Sequence, residues 1–315
     1  MDTYGLHPKF KLNRPLDERE LAGKLDQNTR IELEDNQLIP DLKVIEINSN
    51  YLEMVDKFYS AKGYMSFLAS FGTFTFLGCS IWFILCTIFP SYFIKIDIVV
   101  ILILTPLFSA MGIFMLKLLK TEWFSWTHYP LRFDRKNQLV HVHRTDGSVF
   151  SVPWNKIFFT TGLNHNKGTT NDYYISGHVL AKDNITVKDT FCLPASCNNL
   201  EELKSHWEFI RRYMEEGPEK LIQQVGFCLP IAHKKESYSF TFFYLMTLYK
   251  GAPYIIIPFL VPLAFIFSIP RYIGILTSRR PIWPESIQKL CYIDKNDPYV
   301  LDEYKNPKNL WRDFL

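Results

Sequence analysis

The sequence predicts a multi-pass membrane protein: an α-helical hairpin followed by a soluble α+β domain. Two long uncharged runs stand next to each other near the front of the chain. Behind them come short strand-like segments separated by turns, and then one segment with helical periodicity. The chain has 315 residues and 48% hydrophobic residues. Its net charge of +3, with scattered Lys and Arg, does not indicate a nucleic-acid partner.

The first two apolar runs predict a membrane hairpin within residues 63–117. No Asp, Glu, Lys, Arg or His occurs between Lys62 and Lys95, and a helix needs about 20 apolar residues to cross the hydrocarbon core. We place the first span at residues 67–89, ended by Pro90, and the second at 98–116. The alternative is a buried core hairpin, but two such adjacent runs are rare in soluble chains.

A third uncharged run, residues 251–270, contains four prolines. Proline is tolerated in membrane helices where neighbours satisfy the freed carbonyls. The run therefore predicts a third span, with a re-entrant segment as the alternative. The connecting segment 221–250 includes the uncharged residues 237–249, which are too few to cross alone and are expected in the interface.

The Lys and Arg residues that flank the hairpin predict its orientation. Lys57 and Lys62 precede the first span and Lys117 and Lys120 follow the second, whereas the tip has only Lys95. The positive-inside rule then places the amino terminus and the central domain in the cytoplasm. The charges around the third run are balanced, so the side of the tail, residues 271–315, is left open.

Aromatic and basic residues after the second span predict a membrane interface. Trp123 and Trp126 follow that span at the position of an interfacial aromatic belt. Lys117 and Lys120 are placed to meet anionic headgroups, although the positive-inside bias alone also accounts for them.

The soluble part is predicted as a polar segment, residues 1–62, and an α+β domain, residues 118–220. In the first, Asn48 is expected to cap a helix that enters the membrane. In the second, Asp146-Gly147 is the strongest hairpin signal, and Asn198 is expected to cap a helix over 198–216 with Trp207 on its apolar stripe. The expected strands are 129–133, 139–143, 149–152, 156–161, 173–180 and 185–193.

This layout resembles the bacterial pleckstrin-homology-like domains attached to paired membrane spans. The strands open with Phe133-Asp134-Arg135, Trp154 follows, and a helix ends the domain. The resemblance implies a bent antiparallel sheet capped by the last helix, with seven strands where the sequence offers six. We take Phe133, Asp134, Arg135 and Trp154 as candidate partner-binding residues; the alternative for Asp134 and Arg135 is an ordinary turn.

Three strings carry a narrower resemblance: residues 126–135 (WTHYPLRFDR), 152–154 (VPW) and 280–284 (RPIWP). They are similar to an uncharacterised family of proteobacterial membrane proteins whose genes often lie beside type VI secretion effector genes. The resemblance implies an immunity or accessory role and a location in the bacterial inner membrane.

The sequence offers little catalytic chemistry. His141 and His143 lie on one face of a strand, but no third ligand is near them in sequence, so we expect an exposed sheet face and no metal. There is no G-x-S-x-G or H-E-x-x-H motif, and the spans carry no ionisable group for an ion pathway. We expect no enzyme activity and no cofactor.

Three functions are consistent with these features. The first is a membrane-anchored immunity protein that neutralises a cognate type VI secretion toxin by direct binding, with the toxin and the lipid bilayer as partners. The alternatives are a membrane scaffold or chaperone for effector loading, and a lipid-surface sensor. The oligomeric state is left open.

Overall fold

The computed structural model describes residues 5, 9–89, 98–164 and 172–311. The chain divides into two compact units. The sheet unit consists of Met1–Ser60, His128–Lys234 and Arg280–Asp313. The helical unit contains Ala61–Thr127 and Lys235–Arg279.

The strands and helices of the described residues follow one another along the chain. In chain order they are β1 (Arg14–Pro15), α1 (Glu18–Ala22), β2 (Lys24–Leu25), β3 (Val44–Ile47), β4 (Tyr51–Met54), α2 (Tyr64–Ile88), α3 (Ile98–Leu119), β5 (Leu131–Asp134), β6 (Leu139–His143), β7 (Val149–Pro153), β8 (Ile157–Asn164), β9 (Asp172–Leu180), β10 (Thr186–Cys197), α4 (Leu200–Glu215), α5 (Tyr238–Thr247), α6 (Ile257–Thr277) and α7 (Glu285–Leu290).

The strands form two antiparallel sheets. The order in the first sheet is β1-β10-β9-β8-β2, and in the second it is β3-β4-β5-β6-β7. The six strands predicted between residues 129 and 193 are confirmed as β5 to β10, with shifted ends. Residues 165–171, between β8 and β9 in sequence, lie outside the described part of the chain.

The helix predicted from Asn48 is wrong, because residues 44–54 form the β3–β4 hairpin. The Asn48 side chain accepts hydrogen bonds from the backbone N–H groups of Asn50 and Tyr51, each at 2.9 Å, and so closes the turn. Leu52 then pairs with Phe133 of β5. Residues before α2 are therefore part of the same sheet as residues after α3.

Helix α4 packs its apolar stripe against the core. Leu203, Trp207 and Ile210 are buried, which confirms the predicted stripe, and the Trp207 ring stacks on Trp154 with centroids 5.7 Å apart. The N-cap is Asn199 rather than Asn198, since the Asn199 side chain accepts the N–H of Glu201.

The helical unit contains helices that are long and apolar enough to cross a membrane: Tyr64–Ile88, Ile98–Leu119 and Tyr254–Thr277. Among the described residues, these three helices have the length and hydropathy that a membrane span needs, as the apolar runs predicted. The tip of the first hairpin, residues 90–97, lies outside the described residues.

Helices α2 and α3 pack antiparallel. Ser80 Oγ lies 2.6 Å from Ser109 Oγ. A Cβ added at Gly112 would come within 2.5 Å of the Leu77 side chain, so glycine permits the close approach of the two helices there.

Residues 237–249, expected in the interface, contain helix α5, which lies along the carboxyl-terminal half of α6. The rings of Tyr238 and Tyr272 are 5.4 Å apart, and those of Phe242 and Phe265 are 6.5 Å apart. The two helices run antiparallel and form a second helical hairpin.

The points where the chain enters and leaves the helical unit lie at one end of that unit. Lys62 Nζ donates to the carbonyl of Thr127 at 2.9 Å, and Lys235 Nζ donates to the carbonyl of Leu276 at 2.7 Å. Arg271 links the two pairs, since it donates to the Lys62 carbonyl at 3.0 Å. The segment α5–α6 therefore begins and ends at the same end of the helical unit.

Candidate functional site

The second sheet buries a polar face. Side chains that alternate with the core residues of β3 to β6 point to its outer face and are polar, yet they are buried. Trp283, Ile287 and Cys291 cover this face and pack on Tyr51. The buried outer face consists of Glu46, Tyr51, Glu53, Arg132, Asp134, His141 and His143.

Arg132 is the central cation of the outer face. Its Nε donates to Glu53 Oε2 at 2.9 Å, and its guanidinium lies 4.4 Å from the Tyr51 ring centroid and 5.0 Å from that of Trp283. Trp283 Nε1 also donates to Glu53, at 3.0 Å. Burial works to lower the pKa of Arg132, but the Glu53 carboxylate and Tyr51 outweigh it and the pKa is raised.

Glu46 lies on the same face and has a perturbed carboxyl group. Burial raises the pKa of Glu46 to about 6, although the Tyr51 hydroxyl donates a hydrogen bond to it and works in the opposite direction. That hydrogen bond is 2.9 Å long. Near neutral pH the carboxylate is therefore held ionised against a desolvation cost.

Asp134, His141 and Cys291 form the Asp–His–Cys cluster at the other side of the face. One ligand-type atom from each residue lies within 4.8 Å of the other two. Cys291 Sγ is 3.4 Å from Asp134 Oδ2, and His141 Nε2 is 3.5 Å from the same oxygen. Cys291 is 5% exposed, His141 is 1% exposed and Asp134 is 0% exposed.

The neighbours of the cluster fix its side chains. His141 Nδ1 lies 2.6 Å from Ser151 Oγ, whereas Nε2, although near Asp134, makes no well-formed hydrogen bond. Asn137 donates to Asp134 from its backbone and its side chain. Burial works to raise the pKa of Asp134, but the nearby His141 imidazole and the hydrogen bonds from Asn137 outweigh it and lower the pKa. Burial, with the charge of Asp134, raises the pKa of Cys291 to about 12.

The expectation of an exposed sheet face at His141 and His143 is therefore wrong, since both side chains are buried. The third ligand type that sequence inspection missed is Cys291, which is distant in the chain. No local pattern signals this contact, because the segment after α6 reaches the sheet only in the folded chain.

The structure does not place the four candidate partner residues on an exposed surface. Phe133 and Trp154 are enclosed in the hydrophobic core, and Trp154 Nε1 donates to Glu215. Asp134 belongs to the buried cluster, and Arg135 is half-buried. As placed, Phe133, Asp134 and Trp154 offer no surface to a partner.

The predicted interface residues lie at the end of α3 where the chain leaves the helical unit. Trp123 Nε1 donates to the Pro270 carbonyl at 3.2 Å, and Trp126 forms an isolated bridge with Arg279. Lys117 and Lys120 are exposed. Their contact with lipid stays a prediction.

A cleft of about 280 Å³ opens in the sheet unit. Its wall includes Asp56, Lys57 and Phe58, just before the membrane hairpin in sequence, and Tyr129, just after it. Aromatic and aliphatic side chains form its apolar lining. The Lys, Arg and Asp residues of its wall are Lys9, Lys57, Arg144, Asp56, Asp146 and Asp189.

The charges around the cleft balance. Arg144 forms an ion pair with Asp189 and lies 4.2 Å from the centroid of the Phe150 ring. Burial lowers the pKa of His143, which keeps its imidazole neutral near pH 7. With three cations and three carboxylates in its wall, the cleft has no excess positive charge for a polyanion.

The fold and these sites define an α+β protein with helices suited to membrane insertion, a cleft, and a covered polar sheet face. The chain belongs to the family of unknown function DUF6708, whose model matches residues 108–295. No curated protein and no solved structure matches the chain.

Proposed function

We propose that this chain is a membrane-anchored immunity protein that neutralises a cognate type VI secretion toxin by binding it at the cleft of the sheet unit. The observation that carries the proposal is the cleft itself: apolar side chains line it, and charges of both signs surround it. An apolar centre with a polar rim is the usual anatomy of a protein-binding surface.

The balance of charge favours a protein segment over a phosphorylated lipid headgroup. A polyanion is normally bound by clustered, unpaired Lys and Arg, whereas Arg144 of the cleft is already paired with Asp189. A segment of a toxin with mixed charges and an aromatic or aliphatic anchor fits the lining better. The lipid-sensor alternative is correspondingly less favoured.

The class of partner is supported by the sequence strings at residues 126–135, 152–154 and 280–284, which resemble membrane proteins encoded beside type VI effectors. Membrane anchoring is supported by the three helices of sufficient length and hydropathy. The proposed location is the bacterial inner membrane with the sheet unit in the cytoplasm, as the lysines around α2 and α3 suggest.

The proposal includes a pleckstrin-homology-like topology for the sheet unit. Support for this topology comes from β4, which would be the seventh strand: β4 joins β5, β6 and β7 in one sheet, β8, β9 and β10 pair in the other, and α4 follows. The membrane hairpin then lies between the first and second strands of that fold.

The test is protection of a bacterium that expresses the neighbouring effector gene. Thr145 is exposed at the cleft, so Thr145→Trp places an indole where the toxin would bind. Lys182→Trp places the same ring on the exposed β9–β10 turn, away from the cleft. We expect the native chain and Lys182→Trp to protect, and Thr145→Trp to fail at an equal membrane level.

Two outcomes would contradict the proposal. Equal killing with and without the native chain would rule out immunity. Full protection by Thr145→Trp would move the toxin away from the cleft. In a deletion strain, loss of effector secretion without self-intoxication would favour the scaffold or chaperone instead.

A further inference from the structure

We propose that Asp134, His141 and Cys291 bind one divalent transition-metal ion of the zinc type. One carboxylate oxygen, one imidazole nitrogen and one sulfur form the donor set, which suits Zn²⁺ better than Mg²⁺ or Ca²⁺, since those ions prefer oxygen alone. The cluster lies outside the cleft and is independent of the immunity proposal.

The spacing of the donor atoms fits a tetrahedral ion. Zinc bonds of about 2.0–2.3 Å at tetrahedral angles put neighbouring ligand atoms roughly 3.4–3.6 Å apart. The oxygen Asp134 Oδ2 is 3.4 Å from Cys291 Sγ and 3.5 Å from His141 Nε2. The third separation, from sulfur to nitrogen, is within 4.8 Å, so a small adjustment of one side chain completes the triangle.

The state of His141 independently indicates a ligand. Its side chain is 99% buried, and Nε2 faces the cluster with no hydrogen-bond partner, although a buried polar atom is normally paired. Nδ1 is engaged with Ser151 Oγ at 2.6 Å. A metal-binding histidine typically has its other ring nitrogen held by such a neighbour, which fixes the ring and the tautomer.

The ion would hold the carboxyl-terminal segment against the second sheet. Asp134 ends β5 and His141 lies in β6, whereas Cys291 follows α7. Binding would tie the segment that carries Trp283 and Ile287 to the outer face of the second sheet. Three protein ligands leave one position for a water molecule.

The experiment uses the purified full-length chain in detergent, with Co²⁺ as a spectroscopic substitute for Zn²⁺. We expect one Co²⁺ per chain, intense visible bands of a tetrahedral site, and a near-ultraviolet thiolate-to-cobalt charge-transfer band. Added Zn²⁺ should displace the cobalt and remove both features. A chain that binds no Co²⁺, or binds it without the thiolate band, would overturn the proposal.

Matched variants locate the site. Cys291→Ser should remove the thiolate band, whereas Cys197→Ser, which changes another buried free cysteine, should keep it. His141→Gln should abolish binding, and Ser151→Ala should weaken it about 10- to 100-fold while the band is retained. Retention of the native cobalt spectrum by both Cys291→Ser and His141→Gln would contradict the assignment.

A complementary variant keeps the test decisive if Cys291→Ser fails to fold. Replacing the other free cysteines, namely Cys79, Cys86, Cys192, Cys197 and Cys228, leaves Cys291 as the sole thiol. The thiolate band should survive in that chain. Its loss from a folded protein would show that another cysteine supplies the sulfur.

Discussion

At the scale of single residues, the covered sheet face depends on compensated charges. Arg132 is buried together with Glu53, and the rings of Tyr51 and Trp283 flank its guanidinium. A buried charge is costly unless it is paired and hydrogen-bonded. At Glu46 burial outweighs the hydrogen bond from the Tyr51 hydroxyl, so the pKa of Glu46 rises while that of Asp134 falls.

Glu46→Gln should stabilise the protein in a pH-dependent way. The pKa is about 6 in the folded state against 4.5 for the free group, so the native fold binds this proton more tightly than the unfolded chain does. The stabilisation of the fold by the tighter proton binding at Glu46 is fully present below about pH 4.5. It is lost as the pH rises through about 6. The variant should match the native chain near pH 4 and exceed it by up to roughly 2 kcal/mol near pH 8.

Thermal unfolding of the two full-length proteins across this pH range measures the difference. Glu285→Gln, which changes an exposed carboxylate on α7, is the control and should show no such trend. A difference between Glu46→Gln and the native chain that stays constant with pH would show that the Glu46 carboxyl has an ordinary pKa in the folded state.

Residue patterns singled out one of the three members of the Asp–His–Cys cluster, His141, as a possible ligand. Alternation along β6 placed His141 and His143 on one face, and that face exists. Cys291 could not be predicted, because 157 positions separate it from Asp134 and no periodicity connects them. Burial of the histidines was missed for the same reason: the segment that covers them is distant in sequence.

At the scale of secondary-structure elements, strands were predicted correctly where the turn residues and the alternation of apolar and polar residues indicated the same element. Asp146-Gly147 closes the β6–β7 hairpin, with Gly147 at φ 88° as such a turn requires. The region of β4 was misassigned because Leu52 and Val55 also fit a helical spacing. Strand pairing with β5 decided the outcome, and it depends on residues beyond the membrane hairpin.

Trp207→Ala should strongly destabilise the sheet unit. The indole is buried, stacks on Trp154, and lies 4.7 Å from the Phe159 ring. Truncation of a buried Trp costs about 3–5 kcal/mol, a large part of the 5–15 kcal/mol typical of a domain. Lys204→Ala, at an exposed position of α4, should change stability by less than about 0.5 kcal/mol.

The full-length chain is the right sample for this comparison, since a 118–220 fragment would lack β3 and β4. Near-ultraviolet circular dichroism during heating follows the packing of the aromatic cluster. An unchanged melting curve for Trp207→Ala would mean that α4 does not pack on the core.

Gly112→Val should disrupt the packing of α2 on α3. A Cβ at position 112 would lie 2.5 Å from the Leu77 side chain and 3.2 Å from its backbone nitrogen, so the added side chain has no room. Overpacking typically costs about 1–3 kcal/mol. Gly78→Val is the matched control on α2, because a Cβ there meets nothing within 4 Å.

The melting temperature of each glycine variant in detergent gives the answer, with membrane yield as a second measurement. Only Gly112→Val should lower both. Equal effects of the two substitutions would indicate that loss of glycine itself, and not the helix contact, is responsible.

At the scale of the whole molecule, hydropathy predicted the long helices but not the side of the tail. Flanking charges around the third run were balanced, so its topology depended on whether the shorter α5 forms a second leg. Contacts between Tyr238 and Tyr272 and between Lys235 and Leu276 pack α5 against α6 as an antiparallel pair, from which we expect both ends of this pair on one side of the membrane. Propensity could not reveal this, since α5 has only 10 residues.

Reporter fusions should therefore place residues 216 and 311 in the same compartment, which we expect to be the cytoplasm, and residue 91 in the periplasm. The reason is that Lys235, before α5, and Leu276, at the end of α6, are in contact at one end of the α5–α6 hairpin. The compartment of each position is measured with two reporters, one active only in the cytoplasm and one active only in the periplasm. Each reporter is fused at each of the three positions. A periplasmic signal at residue 311 alone would make α6 a single crossing.

The pairing of β4 with β5 sets the order of events on the ribosome. Tyr51–Met54 is synthesised long before its partner Leu131–Asp134, and the first two membrane helices are made in between. Once those helices pair antiparallel, they bring the two strand ends together, so a long loop closes without the full entropic cost of an unstructured chain. We therefore expect pairing of α2 with α3 to be an early step in the folding of the sheet, so that a substitution that disrupts this pairing should also appear as misfolding of the sheet unit.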